Sequence, residues 1–115
     1  MKSNLIQDRT FQFSLNIINL YIQMLDKKEY VLSKQLLRSA TSIGANVEEA
    51  IAGQTKKDFL SKMNISLKET RETNYWLRLL KESKLVDLNF DPALKESQEI
   101  TNILSAIVKT TKLSI

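Results

Sequence analysis

The chain has 115 residues, which is enough for one domain. Its 2 Gly and 1 Pro are too few for the frequent turns of a β-sandwich or barrel, and its 43% hydrophobic residues exclude a disordered chain. Because Cys and His are both absent, a disulfide framework, a thiol nucleophile, a Cys/His zinc site and His-based catalysis are excluded. The formal net charge of +4 is modest, so the position of the charges matters more than their sum.

Composition therefore predicts one all-α domain over residues 1–115. No Gly-rich phosphate loop is present, and no Ser or Thr has a base beside it, so we expect neither an enzyme nor a cofactor. The N-terminus, Met1-Lys2-Ser3-Asn4, leads into no long apolar core with a cleavage site, and no apolar run approaches about 18 residues. We expect a cytoplasmic protein without a membrane partner.

The first predicted helix runs from about Ser3 to Asp26 and is apolar on two sides. One row has the four-and-three spacing of a helix face: Phe11, Leu15, Ile18, Ile22 and Leu25. A second row is Phe13, Ile17, Leu20 and Met24, roughly 150–200° away at about 100° per residue. Since a bundle helix needs one apolar side, the second row is predicted to be an interface between copies of the chain. The alternative is a thicker core.

The second predicted helix runs from about Glu29 to Ala52, and Gly53 is expected to end it in the left-handed conformation. Its apolar row is Leu36, Ala40, Ile43, Val47 and Ala50. Opposite lies a polar row, Gln35, Ser39, Ser42, Asn46 and Glu49, with Arg38 alongside. This row predicts a hydrogen-bonded contact; the alternative is ion pairs between helices among Arg38, Glu48, Glu49, Glu69 and Glu72. Without His, these carboxylates do not suggest a di-metal site.

The third helix is predicted from about Thr55, as N-cap, to Ser83, and the fourth opens at Asp91-Pro92. On the third, Phe59, Met63, Leu77 and Leu80 face one way and Ile65, Tyr75, Trp76 and Leu79 roughly the other. The fourth carries Leu94, Ile100, Ile103, Leu104, Ile107 and Val108. Because the connections are short, the chain is predicted to form an antiparallel up-down-up-down four-helix bundle. Tyr75 and Trp76 join the predicted interface between copies.

Basic residues are concentrated in the third helix. Residues 56–84 hold eight Lys or Arg against four Asp or Glu, an excess equal to the whole net charge. Lys57, Lys68, Arg71 and Arg78 fall, with Asn64, within roughly 80° on a helical wheel. Such a row is suited to contact successive phosphates of a nucleic acid. The alternative is a solvated face with ion pairs inside the helix, such as Arg78 with Glu82.

Three segments resemble a known family: QLLRSATSIGANVEEA (Gln35 to Ala50), KKDF (Lys56 to Phe59) and KETRETNYWLRLLKES (Lys68 to Ser83). Together they look like the bacterial proteins encoded in intervening sequences of 23S rRNA genes. The resemblance implies a four-helix bundle that assembles as a homopentameric ring. It also implies kinship with the accessory proteins of diversity-generating retroelements, which bind nucleic acid and a reverse transcriptase. The matching positions are Gln35, Arg38, Ser42, Asn46, Glu49, Glu69, Glu72, Tyr75 and Trp76.

Two functional classes follow from these observations. The first is a non-catalytic oligomer that binds RNA or DNA as an adaptor or chaperone. The second is a structural or protein-interaction scaffold whose basic row is simply solvated. They are distinguished by whether the basic row stays open to nucleic acid when copies of the chain assemble.

Overall fold

The computed structural model describes residues 4–115 and places them in four α-helices, with no strand in that range. The helices are α1 (Asn4–Asp26), α2 (Leu32–Ile51), α3 (Lys56–Ser83) and α4 (Asp91–Leu113). Each helix packs on its neighbours in chain order, and α4 closes the bundle on α1. The predicted four-helix bundle is therefore confirmed. The predicted start of the first helix, Ser3, lies outside the described residues, and no described helix is long and apolar enough to span a membrane.

The turn between the end of α2 and the start of α3 follows the prediction at Thr55 but not at Gly53. Thr55 caps α3 as expected, its side-chain oxygen accepting a hydrogen bond from the Asp58 backbone N–H at 3.0 Å. The expectation for Gly53 was wrong, because Gly53 does not have a positive φ. A Cβ at this position would lie 3.1 Å from the Ala50 carbonyl oxygen and from the Asp58 Cβ. Glycine is suited to this turn because α2 and α3 approach closely there.

The second helix begins at Leu32 rather than Glu29, and Val31 at its N-cap position makes no side-chain capping bond. Glu29, two residues before Val31, supplies the capping carboxylate instead. The Glu29 carboxylate is buried and accepts backbone hydrogen bonds from Val31 at 2.9 Å, Leu32 at 3.1 Å and Ser33 at 2.6 Å. Burial by itself raises the pKa of Glu29, but the three backbone donors outweigh it and hold the pKa below the ordinary value. The carboxylate thus satisfies N–H groups that the first turn of a helix leaves unpaired.

We predict that Glu29→Gln lowers the free energy of unfolding by about 0.5–2 kcal/mol at neutral pH, the usual effect of losing an N-cap. Because the folded-state pKa is lowered, the wild-type advantage is fully present above the ordinary value of 4.5 and is lost as pH falls through the folded-state pKa. Urea denaturation followed by circular dichroism, repeated from neutral pH down through the folded-state pKa, measures the free energy of unfolding of both proteins. The exposed loop variant Asp87→Asn is the matched control, and an equal pH dependence in that variant would contradict the assignment to Glu29.

The structure reverses the predicted roles of the two apolar rows of α1. Phe13, Ile17 and Met24 are buried in the bundle core, and Leu20 packs against it. These four residues were predicted to form an interface between copies, and that prediction was wrong. The outward row is the other one, which we call the outer α1 row: Phe11, Leu15, Ile18 and Ile22.

The reversal has a packing reason. The Phe13 row continues through Ile6 and Thr10, both buried, so that α1 keeps an inward side facing α2 and α4 over most of its length. Thr10 is satisfied within α1 by bonding its hydroxyl to the Ile6 carbonyl at 2.9 Å. Thr10 also lies against Gly44 of α2, where a Cβ on Gly44 would be 3.4 Å from the Thr10 backbone carbonyl oxygen. The close approach of α1 and α2 at this point places the Phe13 row inside.

Two adjacent isoleucines test this assignment. Ile17 is fully buried and Ile18 is 37% exposed. Ile17→Asp places an unpaired charge in the core, so we expect a loss of more than about 4 kcal/mol and little helical signal in far-UV circular dichroism. Ile18→Asp is expected to retain the wild-type helical signal. Equal helicity in the two variants would show that the rows are not separated as described.

Candidate nucleic-acid interface

The four predicted phosphate-contacting residues lie together on the outer side of α3. Lys57, Lys68, Arg71 and Arg78 are all exposed, and Asn64 between them is partly buried. Their opposite side carries Met63, Leu77 and Leu80 into the core. At about 1.5 Å per residue the row extends for roughly 31 Å along the helix, comparable to about nine base pairs of duplex DNA.

None of these four side chains forms an ion pair within the described part of the chain. The basic residues that do so there are Arg9, Arg38, Lys62 and Lys81. The intrahelical pairs offered as the alternative are not formed, because Glu69 contacts Arg38 instead and Glu82 contacts no basic side chain in residues 4–115. The row is therefore exposed and free of ion pairs in residues 4–115, with Glu82 one helical turn beyond Arg78.

Tyr75 lies within this basic row. It is half exposed, and the Arg78 guanidinium carbon lies 6.0 Å from the centroid of its ring. The Tyr75 and Trp76 rings meet edge to face with centroids 5.2 Å apart. Trp76 is partly buried and donates its indole N–H to Glu72 at 2.9 Å. Tyr75 and Trp76 were both predicted for the subunit interface. Tyr75 lies on the same side of α3 as the basic row, whereas Trp76 is partly buried.

The charged positions that carry the family resemblance lie at the seam between α2 and α3: Arg38, Glu49, Glu69 and Glu72. Arg38 reaches from α2 to hydrogen-bond Glu72 and lies 3.7 Å from Glu69. Glu49 of α2 pairs with Lys62 of α3 at 2.8 Å. The ion pairs between helices that the sequence offered as an alternative are therefore formed at these positions. Since two carboxylates face it, Arg38 does not extend the basic row.

The polar row of α2 makes its hydrogen bonds mostly to its own helix. Ser42 donates to the Arg38 carbonyl at 2.8 Å, and the Asn46 amide donates to the Ser42 carbonyl at 2.8 Å. Gln35 is exposed, and Ser39 is buried and accepts from Thr73 at 2.9 Å. Of these contacts, the bond between Thr73 and Ser39 joins α3 to α2. In residues 4–115 no three acidic side chains converge as ligands for a metal ion.

Two basic residues near this surface are not part of the predicted row. Lys109 and Lys112 are exposed near the end of α4. The Lys56 amine, at the start of α3, donates to the Ser114 carbonyl at 3.4 Å, which brings the end of α4 beside the start of α3. A single-helix pattern could not reveal this, because the two segments are more than forty residues apart in the chain.

These features define a small all-α bundle with an exposed row of basic side chains on one helix. The chain belongs to the 23S rRNA-intervening sequence protein family, whose model matches residues 2–106. It is also similar to a solved protein of unknown function from the S23 ribosomal protein family of Bacteroides thetaiotaomicron. The two share 43% identity and a TM-score of 0.88, over 95% of this chain and 99% of that one. No match is found among curated proteins.

Proposed function

We propose that this protein is a non-catalytic adaptor or chaperone that binds RNA or DNA through the basic row of α3. The observation that carries the proposal is that four basic side chains share one exposed side of α3 over roughly 31 Å and form no ion pair within residues 4–115: Lys57, Lys68, Arg71 and Arg78. A positively charged side chain that keeps no protein partner is available to replace the counterions of a phosphate. Because phosphates are the same at every base pair, this contact gives affinity with little sequence preference.

Charge reversal at the centre of the row tests the proposal. Lys68→Glu combined with Arg71→Glu leaves the core untouched, because both side chains are exposed. We expect wild type to bind duplex DNA and structured RNA at about 50 mM salt, with a log–log salt slope of about −0.9 per phosphate contacted on duplex DNA. The variant is expected to keep its helicity and lose binding in the same fluorescence anisotropy titration.

A second double variant controls for net charge. Lys27→Glu with Lys34→Glu makes the same four-unit change at exposed positions outside α3. It should retain most of the wild-type affinity, since local charge governs the contact more than the total. Equal losses in both double variants would contradict the assignment to α3, and no binding by wild type at about 50 mM salt would overturn the proposed function.

The proposal includes self-association through the outer α1 row. Phe11 is 59% exposed and Ile22 is 50% exposed, and no charged residue occurs anywhere from position 10 to position 25. Contiguous apolar surface with few charges is typical of protein interfaces. The family resemblance suggests five copies. In such an assembly each copy brings its own basic row, so one long nucleic acid would contact several rows and bind more tightly through effective concentration.

Ile18→Asp also tests self-association. We expect wild type in multi-angle light scattering to have a mass several times the 13.2 kDa of the chain, five times if the family resemblance holds. The variant is expected to dissociate toward 13.2 kDa while staying helical, because a charge in an apolar contact is left without a partner. Gln12→Asp puts the same residue at an exposed polar position of α1 and should keep the wild-type mass. A wild-type mass of one chain, or full assembly of Ile18→Asp, would contradict this contact.

The outer α1 row also supports the second function, a scaffold that holds other proteins and no nucleic acid. In that case the same apolar surface serves assembly, and the basic row of α3 is solvated. The titration with nucleic acid separates the two functions, since a scaffold shows the oligomer mass without the salt-dependent binding.

A further inference from the structure

A shallow cavity of about 190 Å³ lies beside the basic row, toward the C-terminal half of α3. It is lined by Tyr75, Arg78, Leu79 and Glu82, which share one side of the helix through spacings of three and four residues. The cavity combines an aromatic ring, a planar cation, an apolar surface and a carboxylate. Phosphate binding requires only the cation, and the packing of the bundle does not require the exposed ring beside it.

We propose that this cavity holds an unpaired nucleobase of a single-stranded nucleic acid; the inference rests on the proposed function and names its preferred substrate. The Tyr75 ring and the Arg78 guanidinium are the two kinds of group on which unpaired bases stack. Their separation of 6.0 Å is at the outer limit of a cation–π contact, so the exposed arginine is held only weakly against the ring. Arg78 can therefore move to cover a base that stacks on Tyr75.

The charges around the cavity orient the strand. Arg71 lies one turn before Tyr75, and Lys68 lies one turn earlier still, both exposed and free of ion pairs within residues 4–115. Glu82 lies two turns beyond Tyr75 and is not paired with a basic side chain in that range. A carboxylate repels phosphate but accepts hydrogen bonds from a base amino group. The backbone of the strand is thus drawn toward Arg71 and Lys68, and the base toward the cavity.

A duplex does not satisfy this site, because its bases are stacked on one another and expose only their edges in the grooves. A side chain on the outside of a bundle helix has no access to the face of a paired base. The basic row by itself accepts duplex and single strand alike through phosphate. The cavity adds a contact that only an unpaired base makes.

The test compares Tyr75→Ala with Tyr75→Phe, which keeps the stacking ring. The ligands are a single-stranded DNA of about 12 nucleotides, the RNA of the same sequence, and the matching DNA duplex. We expect Tyr75→Ala to weaken binding of both single strands by about 5- to 140-fold, the range that loss of one stacked base produces, and to leave duplex binding unchanged. Tyr75→Phe should bind all three as wild type does. Trp76, the single tryptophan, should report the single strand by a change in emission in wild type and in Tyr75→Phe.

A DNA strand of the same length that carries abasic tetrahydrofuran residues isolates the base from the phosphates. We expect wild type to bind the abasic strand more weakly than the natural strand, by the same factor by which Tyr75→Ala weakens binding of the natural strand. On the abasic strand, wild type and Tyr75→Ala should have equal affinity. If wild type binds the abasic and natural strands equally, or if Tyr75→Ala changes the oligomer mass, the base site is overturned while the phosphate row stands.

If Lys68→Glu with Arg71→Glu leaves binding of every ligand intact, the phosphate row of α3 is overturned, and the base site is judged by the Tyr75 variants alone. If wild type binds none of the ligands, both proposals are overturned.

Discussion

A helix in a four-helix bundle has one side that the other helices bury, and α1 has two apolar sides. This mismatch determines the surface of the molecule, because one of the two rows must face outward. The core takes the row through Phe13 and Ile17, and the outer α1 row is left outside. It is flanked by Gln and Asn rather than by charges, so no ionic groups interrupt it. The bundle therefore carries a neutral apolar surface on one helix and an exposed row of basic side chains on another.

The two surfaces are well separated. α1 and α3 occupy diagonal corners of the bundle, and their backbones do not approach each other closely. A contact made by the outer α1 row therefore lies away from the basic row of the same chain. This geometry allows the two proposed activities to coexist, with self-association through one helix and phosphate binding through the helix diagonal to it. It also means that variants on the two helices report on different properties, since a change on α1 does not touch the basic row.

Ion pairs at the seams between helices hold four of the basic side chains in the described part of the chain. Arg9 of α1 bonds Glu96 at 2.8 Å and Glu99 at 2.6 Å on α4, and these carboxylates raise the pKa of its guanidinium. Arg38 and Lys62 join α2 to α3, and Lys81 joins α3 to Asp91 at 2.9 Å. Each of these residues lies at the edge of a helix, where a neighbouring helix supplies the carboxylate. The four residues of the basic row lie on the outermost part of α3, where no carboxylate of another helix comes within ion-pair distance in residues 4–115.

Local sequence patterns determined the fold class, the number of helices, the cap at Thr55 and the alignment of the basic row, because each depends on spacing within one helix or one turn. They also showed that α1 has two apolar rows. Which row is buried was decided by the tertiary structure, since both have helical spacing and only the approach of α2 and α4 distinguishes Ile17 from Ile18. The same holds for Glu29, whose role as a cap depends on a turn that brings three backbone N–H groups to its carboxylate. It holds as well for Arg38, Glu69 and Glu72, where the packing of α2 on α3 selected one pairing among several that the sequence left open.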